Sequence, residues 1–179
     1  MKKKITGSVV ALVTPMLEEE SIDFKSLRKL VELHCSSNTS GLVIVGTTGE
    51  SPTVDLEEHI KVIESAKNIA GDRIPIIAGT GANSTSEAIF LTREAERIGV
   101  DASLQVTPYY NKPSQAGLER HFLSIADSTS LPIILYNVPG RTVADLSNET
   151  VKTLSVHENI VGIKKTKGNL IVERWLFSE

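Results

Sequence analysis

Short apolar runs alternate with amphipathic stretches along the chain. Most of the apolar runs are continuous and do not alternate with polar residues, which is typical of parallel strands covered on both faces. The runs predicted as strands are 8–13, 42–45, 74–78, 102–106, 133–136 and 160–163. Successive strands are roughly thirty residues apart, which is the size of one βαβ unit.

The stretches between these runs carry apolar residues at helical spacing. Helices are predicted around 24–34, 56–66, 88–98, 118–125 and 146–154. Asp23 is a candidate N-terminal cap, and capping boxes are predicted at Asp55 with Glu58 and at Ser84 with Glu87. Glycines that fall where helices are expected to end are Gly41, Gly71 and Gly99.

Repeated βα units of this size predict either a doubly wound open sheet or a (β/α)8 barrel. A barrel normally needs about 250 residues and eight strands. This chain has 179 residues and supplies about six βα strands of the eight. If the fold is a barrel, we expect an incomplete one.

Composition excludes several classes of protein. The formal net charge of -3 gives no reason to expect a nucleic-acid surface. No window is apolar enough for a membrane span, and no apolar segment of a signal peptide follows the N-terminal lysines. The single cysteine, Cys35, excludes a disulfide framework and fits a reducing cytoplasm. The histidines are scattered, so no metal site is predicted.

Polar residues gather where the predicted strands end. Ligand sites lie at the carboxyl ends of strands in both candidate architectures. The segments at these ends are 14–15, 46–50, 79–83, 107–111, 136–141 and Lys164. Each has an ordinary explanation: tight glycine turns, packing by Tyr109 and Tyr110, or a surface ion pair of Arg141. Their concentration at one edge indicates a small-molecule site, and the hydroxyls and backbone N–H groups of 46–50 would suit a carboxylate.

The sixth apolar run ends on two lysines, Lys164 and Lys165. Solvated lysines at the end of a strand are the ordinary interpretation. A lysine held against an apolar strand instead loses its proton more easily, because desolvation disfavours the ammonium, and a neutral amine can form a Schiff base. Side chains alternate along a strand, so Lys164 shares a face with Gly162, which leaves room beside it.

Several motifs, in order and in register, closely resemble those of the dihydrodipicolinate synthase family. They are Gly46-Thr47-Thr48-Gly49-Glu50, Ala78-Gly79-Thr80-Gly81-Ala82-Asn83, Thr107-Pro108-Tyr109-Tyr110-Asn111-Lys112-Pro113 and Tyr136-Asn137-Val138-Pro139-Gly140-Arg141-Thr142. The resemblance implies a cytoplasmic (β/α)8-barrel lyase that condenses pyruvate with aspartate semialdehyde to 4-hydroxy-tetrahydrodipicolinate, in lysine and diaminopimelate biosynthesis. It also implies a homodimer or homotetramer with no metal and no organic cofactor.

The resemblance assigns catalytic roles residue by residue. Lys164 would form the imine with the pyruvate carbonyl, and Tyr136 would be the general acid and base beside it. Thr47 would pass protons between Tyr136 and Tyr110, with Tyr110 reaching in from the neighbouring subunit. A hydroxyl both donates and accepts, so such a chain of hydroxyls can relay a proton.

The resemblance also implies binding residues. Thr48 would help hold the pyruvate carboxylate, and Arg141 would bind the semialdehyde carboxylate with its planar guanidinium. Positions that match a feedback site for lysine at the dimer interface are Ser51, His59, Asn83, Glu87 and Tyr109. Pro52 and Leu56 depart from the pattern of that site, and a plain helix-surface histidine is the alternative for His59.

Related aldolases and a shortened chain leave alternatives open. N-acetylneuraminate lyase and 2-keto-3-deoxy-sugar-acid aldolases share the lysine and tyrosine, but the paired threonines, Tyr110 and Arg141 favour the synthase. The family usually has an acidic residue where this chain has Lys165.

The resemblance weakens past Leu170 and the chain stops at Glu179, so a C-terminally truncated barrel is expected, with a partial TIM-barrel domain at 1–168 and a divergent tail at 169–179. An unclosed barrel leaves strand edges exposed. The chain is therefore expected to be either a Schiff-base synthase whose missing part comes from another chain or from a longer form of this one, or a non-catalytic remnant.

Overall fold

The computed structural model describes residues 5–166 and the backbone of Arg174–Phe177. Contacts divide the chain into two compact units. The first unit contains Met1–Gly79 and Glu94–Ala102, and the second contains Thr80–Arg93 and Ser103–Glu179. The predicted domain boundary at residue 168 lies outside the described residues and stays a prediction.

The sheet of the first unit is parallel. Its strands are β1 (Val9–Ala11), β2 (Gly41–Ile44) and β3 (Ile76–Gly79). Val10 pairs with Leu42, which also pairs with Ile76. Every residue of β2 and β3 is buried, as expected of strands covered on both faces. Helix α1 (Phe24–Cys35) contacts α2 (Leu56–Ala70), and α2 contacts β2 and β3.

Local signals at the ends of these helices were only partly predicted. The Asp23 carboxylate accepts a hydrogen bond from the Ser26 amide at 3.0 Å, so Asp23 caps α1 as expected. The capping box predicted at Asp55 is wrong, because that side chain makes no capping bond. Gly71 ends α2 with a φ of 56°, where glycine has no steric penalty. Gly41 does not end a helix but begins β2.

The second unit continues the βα repeat. Its strands are β4 (Ala102–Val106), β5 (Ile133–Asn137) and β6 (Ile160–Lys165), which pair in parallel, and β7 (Arg174–Phe177), which pairs antiparallel with β6. Its helices are α3 (Thr85–Ile98), α4 (Gln115–Ala126), α5 (Pro139–Thr142) and α6 (Asn148–Leu154). The predicted strands are therefore confirmed, whereas α5 and β7 were not predicted.

A cluster of buried side chains joins α4 and α6 to β5 and β6. Its centre is Phe122, which is fully buried, with Leu118 and Ile125 on the same face of α4. Ile133 and Ile163 contribute from the strands. Burying each such side chain contributes roughly 1.5–3 kcal/mol. This packing holds β5 and β6 in place and so positions their carboxyl ends.

Candidate active site

Lys164 and Tyr136 lie side by side at the carboxyl ends of β6 and β5. The parallel register pairs the two residues directly. Lys164 is only 3% exposed and Tyr136 only 5%, so the interpretation of Lys164 as a solvated lysine is wrong. The Lys164 Nζ lies 4.5 Å from the centroid of the Tyr136 ring, in a cation–π arrangement. A buried amine beside a phenol is the pairing that imine chemistry needs.

Thr107 holds the strand that carries Tyr136. It follows β4, is fully buried, and donates to the Tyr136 carbonyl oxygen from its amide at 2.8 Å and from its hydroxyl at 3.0 Å. Two donors on one carbonyl fix the backbone from which the Tyr136 ring projects. The sequence showed Thr107 only as the start of a motif and gave no signal for this contact.

Thr47 and Thr48 lie on a 3₁₀ turn, Thr47–Gly49, which begins after the two residues that follow β2. Thr48 is exposed and Thr47 is half-buried. The Thr14 hydroxyl donates to the Gly49 carbonyl at 2.7 Å and holds the turn in place. Val45, just before the turn, has a φ of 51°, a strained conformation for a β-branched residue. Such strain concentrates at functional sites.

Tyr110 and Arg141 both point to solvent. Tyr110 is 94% exposed, and its φ of 71° lies in the left-handed region. Tyr110 is therefore not the packing aromatic that was the alternative interpretation. Arg141 is an exposed residue of α5, the short helix that follows β5, and it forms no ion pair within the described part of the chain.

Three of the residues matched to a lysine-inhibitor site lie close together in the second unit. The Asn83 amide donates to the Tyr109 carbonyl at 3.2 Å, and the Asn111 amide donates to the Asn83 carbonyl at 3.0 Å. Burial, aided by the negative charge of Glu87, raises the pKa of Tyr109. Asn83, Glu87 and Tyr109 thus form one polar group.

The other two, Ser51 and His59, belong to the first unit. Ser51 begins a second 3₁₀ turn, Ser51–Thr53. His59 is only 2% exposed, and its Nε2 lies 2.7 Å from the Gly79 carbonyl oxygen. The alternative of a helix-surface histidine is therefore wrong. Burial lowers the pKa of His59, although the bond to Gly79 opposes the shift.

Sequence reasoning also missed a buried polar cluster formed by side chains of α3, β4 and the segment before α3. The Gln105 amide nitrogen lies within hydrogen-bond distance of three hydroxyl oxygens, those of Thr80 at 2.9 Å, Ser103 at 2.7 Å and Thr92 at 2.7 Å, and its two N–H groups are shared among them. All four side chains are fully buried. The only available signal was two polar residues, Ser103 and Gln105, inside one apolar strand run, and a polar residue in a strand is not specific for burial.

The structure describes no helix long and apolar enough to cross a membrane. In the same described residues, no group of three or more histidine, cysteine, aspartate or glutamate side chains is placed to hold a metal ion.

The fold and the buried lysine define a partial (β/α)8 barrel with a candidate Schiff-base site. Residues 4–176 match the family model of the dihydrodipicolinate synthetase family. The chain belongs to that family.

Two similar curated proteins are named 4-hydroxy-tetrahydrodipicolinate synthase. The protein of Azoarcus sp. (strain BH72) is 58% identical over 166 residues, which are 93% of this chain and 57% of that protein. The protein of Albidiferax ferrireducens is 52% identical over 176 residues, which are 98% of this chain and 59% of that protein. The chain thus spans a little over half the length of these relatives.

Solved structures confirm the partial-barrel fold class. The chloride-inhibited dihydrodipicolinate synthase of Acinetobacter baumannii, complexed with pyruvate, has a TM-score of 0.90 and 57% identity, over 93% of this chain and 57% of that one. The enzyme of Cyanidioschyzon merolae with lysine bound has a TM-score of 0.88 and 40% identity, over 94% of this chain and 58% of that one.

Proposed function

We propose that this chain carries the imine-forming part of a 4-hydroxy-tetrahydrodipicolinate synthase, a cytoplasmic lyase of lysine and diaminopimelate biosynthesis. Its substrates are pyruvate and aspartate semialdehyde. The observation that carries the proposal is the buried Lys164 Nζ, 4.5 Å from the ring centroid of Tyr136. The similar enzyme of Acinetobacter baumannii is complexed with pyruvate, which supports the choice of the first substrate.

In the proposed reaction, the Lys164 amine attacks the carbonyl carbon of pyruvate. A carbinolamine forms, and loss of its hydroxyl as water leaves the carbon–nitrogen double bond. Both steps need protons moved from the amine nitrogen and onto the oxygen, which becomes a hydroxyl and then leaves as water, and Tyr136 supplies and removes these protons. Burial of the pair excludes bulk water, which otherwise hydrolyses the imine.

The proposed proton path leads from Tyr136 through Thr47 to Tyr110 of a second copy of the chain. The exposure of Tyr110 supports this assignment, because 94% of its surface makes no contact with its own chain. A left-handed backbone at Tyr110 turns the residue outward at an energetic cost, and a contact in an oligomer would offset that cost. We therefore propose a homodimer or homotetramer as the assembled form.

Thr48 and Arg141 are proposed to bind the two carboxylates of the substrates. Thr48 is exposed on its turn, and its hydroxyl can donate to the pyruvate carboxylate. Arg141 is exposed after β5 and offers a two-pronged donor to the carboxylate of the semialdehyde.

We propose a lysine-inhibitor site in which fewer of the matched residues contact the inhibitor than the resemblance implies. The contacts among Asn83, Glu87 and Tyr109 support it, and a similar enzyme has lysine bound. His59 is buried and its ring lies within hydrogen-bond distance of the backbone of β3, so we propose that it has a structural role and does not touch the inhibitor.

Borohydride trapping tests the proposal. The chain is incubated with pyruvate, reduced with borohydride, and measured by intact mass and peptide mapping. We expect one reduced pyruvate adduct on Lys164. The Lys164→Arg variant should give none, and the matched control Lys165→Arg should still give the adduct. An unmodified wild-type chain, or an adduct on another lysine, would overturn the assignment.

The second candidate is that the chain forms the adduct with pyruvate but does not complete the condensation by itself. The observation that favours it is the share of the relatives' length that this chain spans, 57% for the Azoarcus protein. Trapping on Lys164 without product from aspartate semialdehyde would favour this candidate, and product formation would exclude it.

A further inference from the structure

A cavity of about 290 Å³ lies in the second unit beside the ends of β5 and β6 and the start of α6. It is at the lower end of the volumes that small-molecule sites have in proteins. Lys165 and Thr166 border it from β6 and the residue that follows, and Asp145 and Asn148 border it from the segment around the start of α6. No role in the proposed reaction falls on any of these four residues.

The cavity is distinct from the candidate active site. Asn137 and Lys165, which line it, are register partners and directly follow Tyr136 and Lys164 along their strands. Successive side chains of a strand point to opposite faces. The cavity therefore opens on the face of the sheet opposite the buried lysine.

Two opposite charges line the cavity without pairing with each other. The Lys165 ammonium donates to the Asn148 side-chain oxygen at 3.0 Å. One carboxylate oxygen of Asp145 accepts from the Asn137 amide at 2.7 Å. Among the described residues no ion pair joins Lys165 to Asp145. Neutral amides thus hold the cation and the anion apart.

Donors and acceptors remain available toward the cavity. An ammonium has three N–H groups and a carboxylate has two oxygens, and the bond to Asn148 and that from Asn137 use one each.

We propose that this cavity binds a small neutral α-amino acid as its zwitterion. The ligand carboxylate accepts from the Lys165 ammonium, and its ammonium donates to the Asp145 carboxylate. Pro139 and Leu146 line the rest of the cavity and take a short apolar side chain. A pair of separated opposite charges selects a ligand with the same separation over one with a single charge. The proposal does not depend on the imine chemistry.

Ligand titration followed by NMR tests the proposal, with L-alanine as the probe and the ¹⁵N-labelled full chain. We expect saturable shifts at the amides of Asp145, Asn148 and Thr166. Binding in the millimolar range is expected because Asp145 is exposed and its charge is screened by water. Propionate and ethylamine each carry only one of the two charges. Each should bind at least about tenfold more weakly than L-alanine.

Two variants and a control complete the test. Asp145→Asn and Lys165→Gln should each weaken L-alanine binding about tenfold, and both keep a side chain that can bond to its amide neighbour. The matched control Lys152→Gln changes an exposed lysine of α6 and should bind as the wild type does. Unchanged spectra away from the cavity show that the variants fold. Absence of saturable shifts, equal binding of propionate, or binding unaffected by both variants would overturn the proposal.

Discussion

His121 is a buried histidine on α4 with one hydrogen-bond partner in the described residues. Its Nδ1 lies 2.8 Å from the Thr85 hydroxyl, and its Nε2 is buried without a partner there. The ring meets Phe122 edge to face, at 5.1 Å between centroids. With 6% exposure the residue is poorly hydrated, and this burial lowers its pKa from 6.5 to about 4.

The stability of the chain should therefore fall with acidity between about pH 6.5 and pH 4. In this window the unfolded chain binds a proton at His121 and the folded chain does not, so protons favour unfolding. The stabilising contribution of neutral His121 is fully present above the pKa of the unfolded chain, 6.5. It is completely lost below the pKa of the folded chain, about 4. At about 1.4 kcal/mol for each pKa unit, the loss is on the order of 3 kcal/mol. Urea unfolding at about pH 7 and about pH 4.5 measures it.

The variant His121→Phe removes the titrating ring and should flatten this pH dependence. His59 also has a lowered pKa and remains in the variant, so a shallower slope in the same direction is expected to persist. His157→Gln is the control, because His157 is only partly buried and lies beside the exposed Asp127. Equal slopes for the wild type and His121→Phe would contradict the assignment.

At the residue scale, the sequence predicted which of the two lysines faces the less crowded side of β6 but not the surroundings of Lys164. The alternation of side chains placed Lys164 with Gly162, and the structure does bury Lys164. The support of Tyr136 by Thr107 and the bond of His121 to Thr85 join residues 29 and 36 positions apart. Periodicity reports which face of an element is apolar and carries no information on such pairs.

At the element scale, β3 ends in a close approach to the segment after β2. A Cβ added at Gly79 would lie 2.8 Å from the Val45 carbonyl carbon and 2.9 Å from the Gly46 Cα. These are backbone atoms, so they cannot swing away as a side chain does. Glycine at 79 therefore permits the strands to pair at the point where the Thr47–Gly49 turn begins.

The variant Gly79→Ala should lose about 3 kcal/mol of stability, at the upper end of the range for overpacking. Separation of the strands would also weaken the contact between the His59 ring and the Gly79 carbonyl. The free energy of unfolding in urea measures the loss.

Gly140→Ala provides the matched glycine control. Gly140 lies on α5, and no neighbouring atom lies within 4 Å of the position that a Cβ would take there. Replacing a glycine in a helix by alanine is expected to be neutral or to stabilise by about 0.5–1 kcal/mol. Similar destabilisation by both substitutions would show that the close approach at Gly79 is not the cause.

Elements with a strong hydrophobic pattern were predicted well, and those fixed by local bonds were not. The apolar run of β4 gave the bounds of that strand, Ala102–Val106. Helix α5 has four residues and starts at Pro139, so it is too short to show a period. Ser84 is placed at the start of α3 as its capping pattern predicted, with the Glu87 amide 3.5 Å from its hydroxyl, whereas the same pattern at Asp55 formed no bond.

At the scale of the whole molecule, the βα repeat predicted the fold class. It did not predict that the edge of β6 pairs with a further strand. An incomplete barrel was expected to leave the edge of its last parallel strand unpaired. Instead, β7 pairs antiparallel with β6, with Ile163 opposite Leu176 and Lys165 opposite Arg174. Parallel strands need a crossover, whereas an antiparallel strand needs only a short connection, so a short tail can supply one. Nothing in the tail's composition distinguished a strand from a helix.

Breaking this pairing should make the chain associate. The double variant Trp175→Pro with Leu176→Pro removes two successive backbone N–H groups, and one of the two must face β6 because they alternate between the edges of a strand. The unpaired edge of β6 then becomes available to other chains. We expect larger species that increase with protein concentration, measured by sedimentation velocity against the wild type.

The control Trp175→Thr with Leu176→Thr removes the same apolar side chains but keeps both N–H groups, so it should sediment as the wild type does. If the two double variants associate equally, loss of the apolar side chains is the cause and β7 does not protect the edge through its backbone.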